Sequence, residues 1–217
     1  MTGGNPADLW IAVVLIGLYH GISPGMGWPL AVSAALFEGR PAALFKALLA
    51  IGIGHLASIC VVLLPLAAFQ MLVARATEVR VGAGLLLVAF GLLLLVFRRH
   101  PRMLARIRPD QLLLWAFLIA LAHGAGLMLV PMYLGIAAHD HMGPMAAGSR
   151  DLMTLMAVSM LHTAAMVASG GAVAWLVYRH LGLQFLRKSW FNLQSLWALS
   201  LIVIGSVSLL STGAGYS

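Results

Sequence analysis

Residues 20–29 read His20-Gly21-Ile22-Ser23-Pro24-Gly25-Met26-Gly27-Trp28-Pro29. They fall within the first long uncharged run, residues 9–37, where a single apolar helix would otherwise be expected. Two prolines and three glycines in ten residues argue against a continuous helix there. Each proline lacks an amide donor and clashes with the preceding turn, and each glycine loosens the backbone. Backbone freed in this way is tolerated at membrane depth only where it packs against protein or lines a cavity. The same stretch carries a histidine and a methionine, both able to bind metals, so it marks a candidate transport site.

The chain around it is strongly apolar. Of its 217 residues, 62% are hydrophobic and 9% charged, with a mean hydropathy of +0.99. Further apolar runs lie at about 47–74, 81–97, 111–138, 152–178 and 190–211. Most are long enough to cross the roughly 30 Å of a bilayer core, which takes about 20 helical residues. The expectation is an all-α integral membrane protein of six transmembrane helices, forming one domain over 1–217. The segment before Asp8 has no Lys or Arg and does not read as a cleavable signal peptide. Cys60 is the only cysteine, so a disulfide or thiol relay within the chain is excluded.

Charge sets the expected orientation. The connectors after runs one, three and five hold ten Lys or Arg residues, including Arg98, Arg99, Arg102, Arg106 and Arg108. The opposite side holds Arg75, Arg80 and Arg150. Basic residues stay on the cytoplasmic side. This predicts a multi-pass protein of a bacterial-type cytoplasmic (inner) membrane with both termini outside the cytoplasm. The net charge of +7 is accounted for by topology, without a nucleic-acid partner.

Runs one to three parallel runs four to six. His20-Gly21 matches His123-Gly124, each followed by a proline, and His55 matches His162, each central in its run. The histidines are 35 residues apart in the first half and 39 in the second. Three spans per half force the second half to enter from the other side. The expected plan is an inverted repeat of about 9–97 and 111–211, with helices one and four broken near His-Gly and a site near mid-membrane.

Four mid-span histidines are costly in a bilayer and are functional candidates. The six acids all lie at or beyond the ends of the runs. A central site therefore offers neutral imidazole, thioether, hydroxyl and backbone, which suits a soft or borderline cation. Without a carboxylate a monovalent ion is held more easily than a divalent one, which favours Cu(I), with Ni and Co next. The expected metal residues are His20, Met26, His55, His123, His162 and Met166, the last one turn beyond His162. In the connector after the fourth run, His139, Asp140, His141 and Met142 form a candidate outer rim or a solvated polar loop.

The heptapeptide His20–Met26 resembles the His-x-x-x-Pro-Gly-His motif of the NicO-type nickel and cobalt exporters, with Met26 at the second histidine position. More broadly the chain resembles the LysE/DsbD superfamily of six-helix inverted-repeat transporters. Ser23-Pro24 is similar to part of the Ser-Pro-Cys of its thiol carriers, with Gly25 where the cysteine would stand. The resemblance implies His20 as a metal residue and Met26 as the point of departure from nickel handling.

The expected function is a non-enzymatic transition-metal permease, with the bilayer, the metal ion and a metal-delivering or metal-receiving protein as partners. Two alternatives stand beside it: a LysE-like exporter of a small organic solute or anion, and a non-transporting copper- or haem-handling assembly factor. A hydrolytic or oxygenase enzyme lacks its His-Glu-x-x-His or dense histidine box here.

Overall fold

A computed structural model describes residues 6–68, 76–96, 111–140, 147–180 and 193–213. These residues form helices and short turns, with no strand among them. In chain order they are α1 (Pro6–Ile22), a 3₁₀ turn (Pro24–Met26), α2 (Trp28–Glu38), α3 (Pro41–Ala68), α4 (Ala76–Val96), α5 (Leu112–Ala122), α6 (Ala125–Asp140), α7 (Ala147–His180) and α8 (Leu193–Gly213). The Arg98–Arg108 cluster, Arg187 and Lys188 lie outside the described residues.

Two helical segments, Pro41–Leu66 and Asp151–His180, are long and apolar enough to cross a membrane. A third span arises if the pair Leu112–Ala122 and Ala125–Ala138, bent by 64°, is counted as one. Six spans were expected; α1 and α2 are individually too short to count, because the chain is interrupted between them. Exposed apolar side chains support a lipid setting. Ile11, Leu15, Leu18 and Ile22 form one exposed stripe on α1, and Leu199, Val203, Val207 and Leu210 another on α8. Such stripes suit contact with lipid and are uncommon on soluble monomers.

The residues at each interruption explain its geometry. After Ile22, Ser23 is extended and Gly27 adopts φ +105°, closing the Pro24–Met26 turn. The indole N–H of Trp28 donates to the Ile22 carbonyl at 3.0 Å, satisfying an acceptor left free at the end of α1. Between α5 and α6, Gly124 has φ +71°, and its N–H donates to the Leu121 carbonyl at 3.1 Å. A Cβ at Gly124 would meet only ordinary contacts, the nearest Leu87 at 3.6 Å. Gly124→Ala is therefore expected to cost about 1–2 kcal/mol through backbone strain alone. Gly124→Asn should cost less, since Asn visits this region more readily. Thermal unfolding in detergent distinguishes the two.

Packing relies on small residues, which let membrane helices approach closely. Gly17 and Gly21 of α1 lie against His162–Gly170 of α7, and Gly54 of α3 against Leu113–Phe117 of α5. In α4 and α8, Gly91 meets the Ala198 carbonyl, and Gly205 meets the Gly84 carbonyl. Helix α3 also packs on α7, antiparallel to it, since Gly52 faces Val167 while Leu48 faces Gly171. One apolar cluster joins Trp28, Leu44, Ile51 and Ala174. A second joins Val13, Ile59, Leu63, Tyr133, Leu155 and Val158.

Candidate functional site

Three helices bring three imidazoles together. His20 closes α1, His55 lies midway along α3, and His162 midway along α7. Their ring centroids are 5.0 Å apart for His20 and His162, 5.6 Å for His55 and His162, and 5.7 Å for His20 and His55. The His55 and His162 rings are nearly parallel, at 13°, and His20 stands edge-on to both. His20 and His162 are 0% exposed and His55 2%, so water does not reach the cluster from outside.

The ring nitrogens divide into two sets. His20 Nδ1–H donates to the Ile16 carbonyl at 3.1 Å, and His123 Nδ1–H to the Ile119 carbonyl at 2.7 Å. His162 Nδ1 makes a longer contact of 3.4 Å to the Val13 carbonyl on the neighbouring helix. A carbonyl can only accept, so a neutral ring that donates through Nδ1 carries its lone pair on Nε2. Backbone carbonyls orient metal-ligating histidines in the same way. Nε2 of both His55 and His162 is buried without a hydrogen-bond partner. So are Ser58 Oγ, three residues beyond His55, and Thr163 Oγ1, next to His162. Each such atom costs about 1–3 kcal/mol relative to a satisfied one.

His123 lies at the C-terminal end of α5. It is half-buried at the α5–α6 bend, with Nε2 3.8 Å from where a Cβ on Gly25 would lie. It remains within electrostatic reach of His20 and His55. Met26 and Met166 are both buried and line one small cavity with Trp28, Gly21 and Gly170. His139 and Asp140 close α6, while His141 and Met142 lie outside the described residues. Among the described residues, no group of three His, Cys, Asp or Glu side chains is arranged as it stands to hold a metal ion. The three rings pack on one another, and a metal would need at least one of them to turn.

Asp151 is the only acid buried among the described residues. It lies beside Tyr133 and precedes His162 by eleven residues on α7, roughly 16 Å of helical rise, too far to serve as a counter-ion. Ser58 escapes a search for histidine alone; its signal is the three-residue spacing from His55, which puts both on one helix face. Comparison with protein-family models, with curated proteins and with solved structures finds no match in any of the three.

Proposed function

We propose that the protein is a six-span, inverted-repeat permease of the cytoplasmic membrane, not an enzyme. It moves a soft or borderline transition-metal cation, Cu(I) before Ni or Co, past His20, His55 and His162. The observation that carries this reading is the meeting of three buried imidazoles from three helices, with no carboxylate beside them among the described residues. Two of these imidazoles hold an Nε2 without a protein partner. A cation entering the cluster would satisfy those nitrogens. The cost of burying charge grows as its square, so a divalent ion costs about four times as much as a monovalent one of equal size. Neutral ligands therefore favour Cu(I).

The inverted repeat is supported by an exchange of partners. Taking α1 with α2 as the first span and α5 with α6 as the fourth, α1 packs on α7 as α5 packs on α3. Likewise α2 packs on α7 as α6 packs on α3, while the pairs α3–α7 and α4–α8 map onto themselves. The α4–α8 contacts obey the same rule: Gly91 on Ala198 corresponds to Gly205 on Gly84. A short sequence match agrees with it. Leu15-Ile16-Gly17-Leu18-Tyr19-His20-Gly21 and Leu118-Ile119-Ala120-Leu121-Ala122-His123-Gly124 share five of seven residues, and both histidines bond the isoleucine carbonyl four residues earlier. His20 and His123 sit at C-terminal ends of short helices, the negative pole of the helix dipole, which favours cations over anions.

Contact among the three rings leaves no slot for a haem macrocycle between two axial histidines, which weighs against a haem-handling role. Metal analysis of the protein purified from cells given Cu, Ni, Co and Zn tests the proposal. Copper retained above the other three, without a Soret band, is expected. A Soret band, or no retained transition metal, would sink it.

A further inference from the structure

The cavity lined by Met26, Trp28 and Met166 lies on one side of the histidine cluster. Its wall residues follow His20 on α1 and His162 on α7, and precede His55 on the antiparallel α3. That is the end of the molecule carrying the α2–α3 turn at Gly39. Along the same three helices in the opposite direction, Val13, Ile59, Leu63, Leu155 and Val158 are fully buried in one apolar cluster. The histidines therefore stand between a closed end and an end with space.

The chemistry of that space is specific. Its volume of about 10 Å³ has room for roughly one water-sized body. Besides two glycines, its walls are aliphatic, apart from two thioethers and one indole. Trp28 already spends its N–H on the Ile22 carbonyl, which fixes the ring as a wall. Thioether sulfur is a soft ligand that selects Cu(I) among common metals, and an indole face attracts a cation through its quadrupole. Among the described residues no side-chain oxygen or imidazole lines the cavity, so a hard or strongly hydrated divalent ion finds no ligand in those walls.

We propose that Met26, Met166 and Trp28 form a second cation station, next to the histidine cluster on the side of the Gly39 turn, that accepts a soft monovalent ion such as Cu(I) or Ag(I). This station rests on the permease reading and deepens it: it restricts the cargo to soft monovalent ions by offering them thioethers before or after the imidazoles. Met166 lies one turn from His162 and Gly21 adjoins His20, so an ion passes between the stations over about one helical turn.

Silver(I) is a redox-stable probe. The full-length protein, carrying Cys60→Ala to remove the thiol, is titrated with Ag(I) and with Ni(II) in detergent. The expected result is two bound Ag(I), falling to one in Met26→Leu/Met166→Leu, with Ni(II) binding unchanged. Trp28→Phe should weaken the second Ag(I) several-fold. Equal Ag(I) binding with and without the methionines would overturn the station while leaving the histidine reading standing. Equal loss of Ag(I) and Ni(II) would overturn it as a separate station. Absence of both metals from the parent protein would overturn the permease reading and the station with it. Should the methionine variant fail to fold, silver-edge X-ray absorption of the loaded parent decides: sulfur neighbours are expected, and a shell of nitrogen and oxygen alone overturns the proposal.

Discussion

His55→Ala combined with His162→Ala is expected to lower the affinity of the histidine cluster for Cu(I) by about 100-fold or more, with the helices still folded. Outer-shell partners of metal ligands alone contribute 10- to 100-fold, so removing two ligands of three exceeds that range. Folding should survive because the two side chains bring unsatisfied nitrogens into the interior. Removing them relieves a penalty of about 1–3 kcal/mol each, which offsets much of the lost packing. His20→Ala is expected to empty the histidine cluster as well, since its ring touches both others. His123→Ala should impair passage more than binding, because that ring adjoins Gly25 at the α5–α6 bend. Metal content after gel filtration, alongside helicity by circular dichroism, measures both effects.

Gly21→Ala is expected to be the most damaging glycine-to-alanine change among the described residues. Its Cβ would fall on the Met166 carbonyl and the Ser169 hydroxyl, with the Gly170 amide 2.8 Å away. Backbone on the facing helix cannot yield as a side-chain tip can, so α1 must move away from α7. Overpacking of this kind costs about 1–3 kcal/mol and occasionally more. The same movement separates His20 from His162, so stability and metal binding fall together. Ser169 holds the seam through a 2.9 Å hydrogen bond to the Leu18 carbonyl, yet Ser169→Ala should cost only about 0.6 kcal/mol, the average for such bonds in membranes. Gly171→Ala is the matched control: its Cβ would meet only Leu48 at 3.5 Å, and it should leave both readouts unchanged.

The helical class and the apolar character are legible in composition alone. The histidines at mid-run are legible in the order of residues, because an ionisable side chain stands out against aliphatic neighbours. Their three-dimensional relation is not. Helical spacing relates Met166 to His162, since both lie on one unbroken helix. It says nothing of Met26, whose direction is set by the Pro24–Met26 turn and the φ of Gly27. The direction of the His123 ring is hidden for the same reason: it lies where α5 ends and the chain bends. The heptapeptide match around His20 and His123 was available in the sequence and is a stronger repeat signal than histidine position alone. The close seam at Gly21 leaves no mark in periodicity, because a glycine in an apolar run reads equally as a break or as a contact.

Metal flux into proteoliposomes tests the central claim most directly. Vesicles containing the wild-type protein should take up Cu(I) faster than empty vesicles, and His55→Ala/His162→Ala should return uptake to the empty-vesicle rate. Uptake by the double variant at the wild-type rate would contradict a path through the histidine cluster.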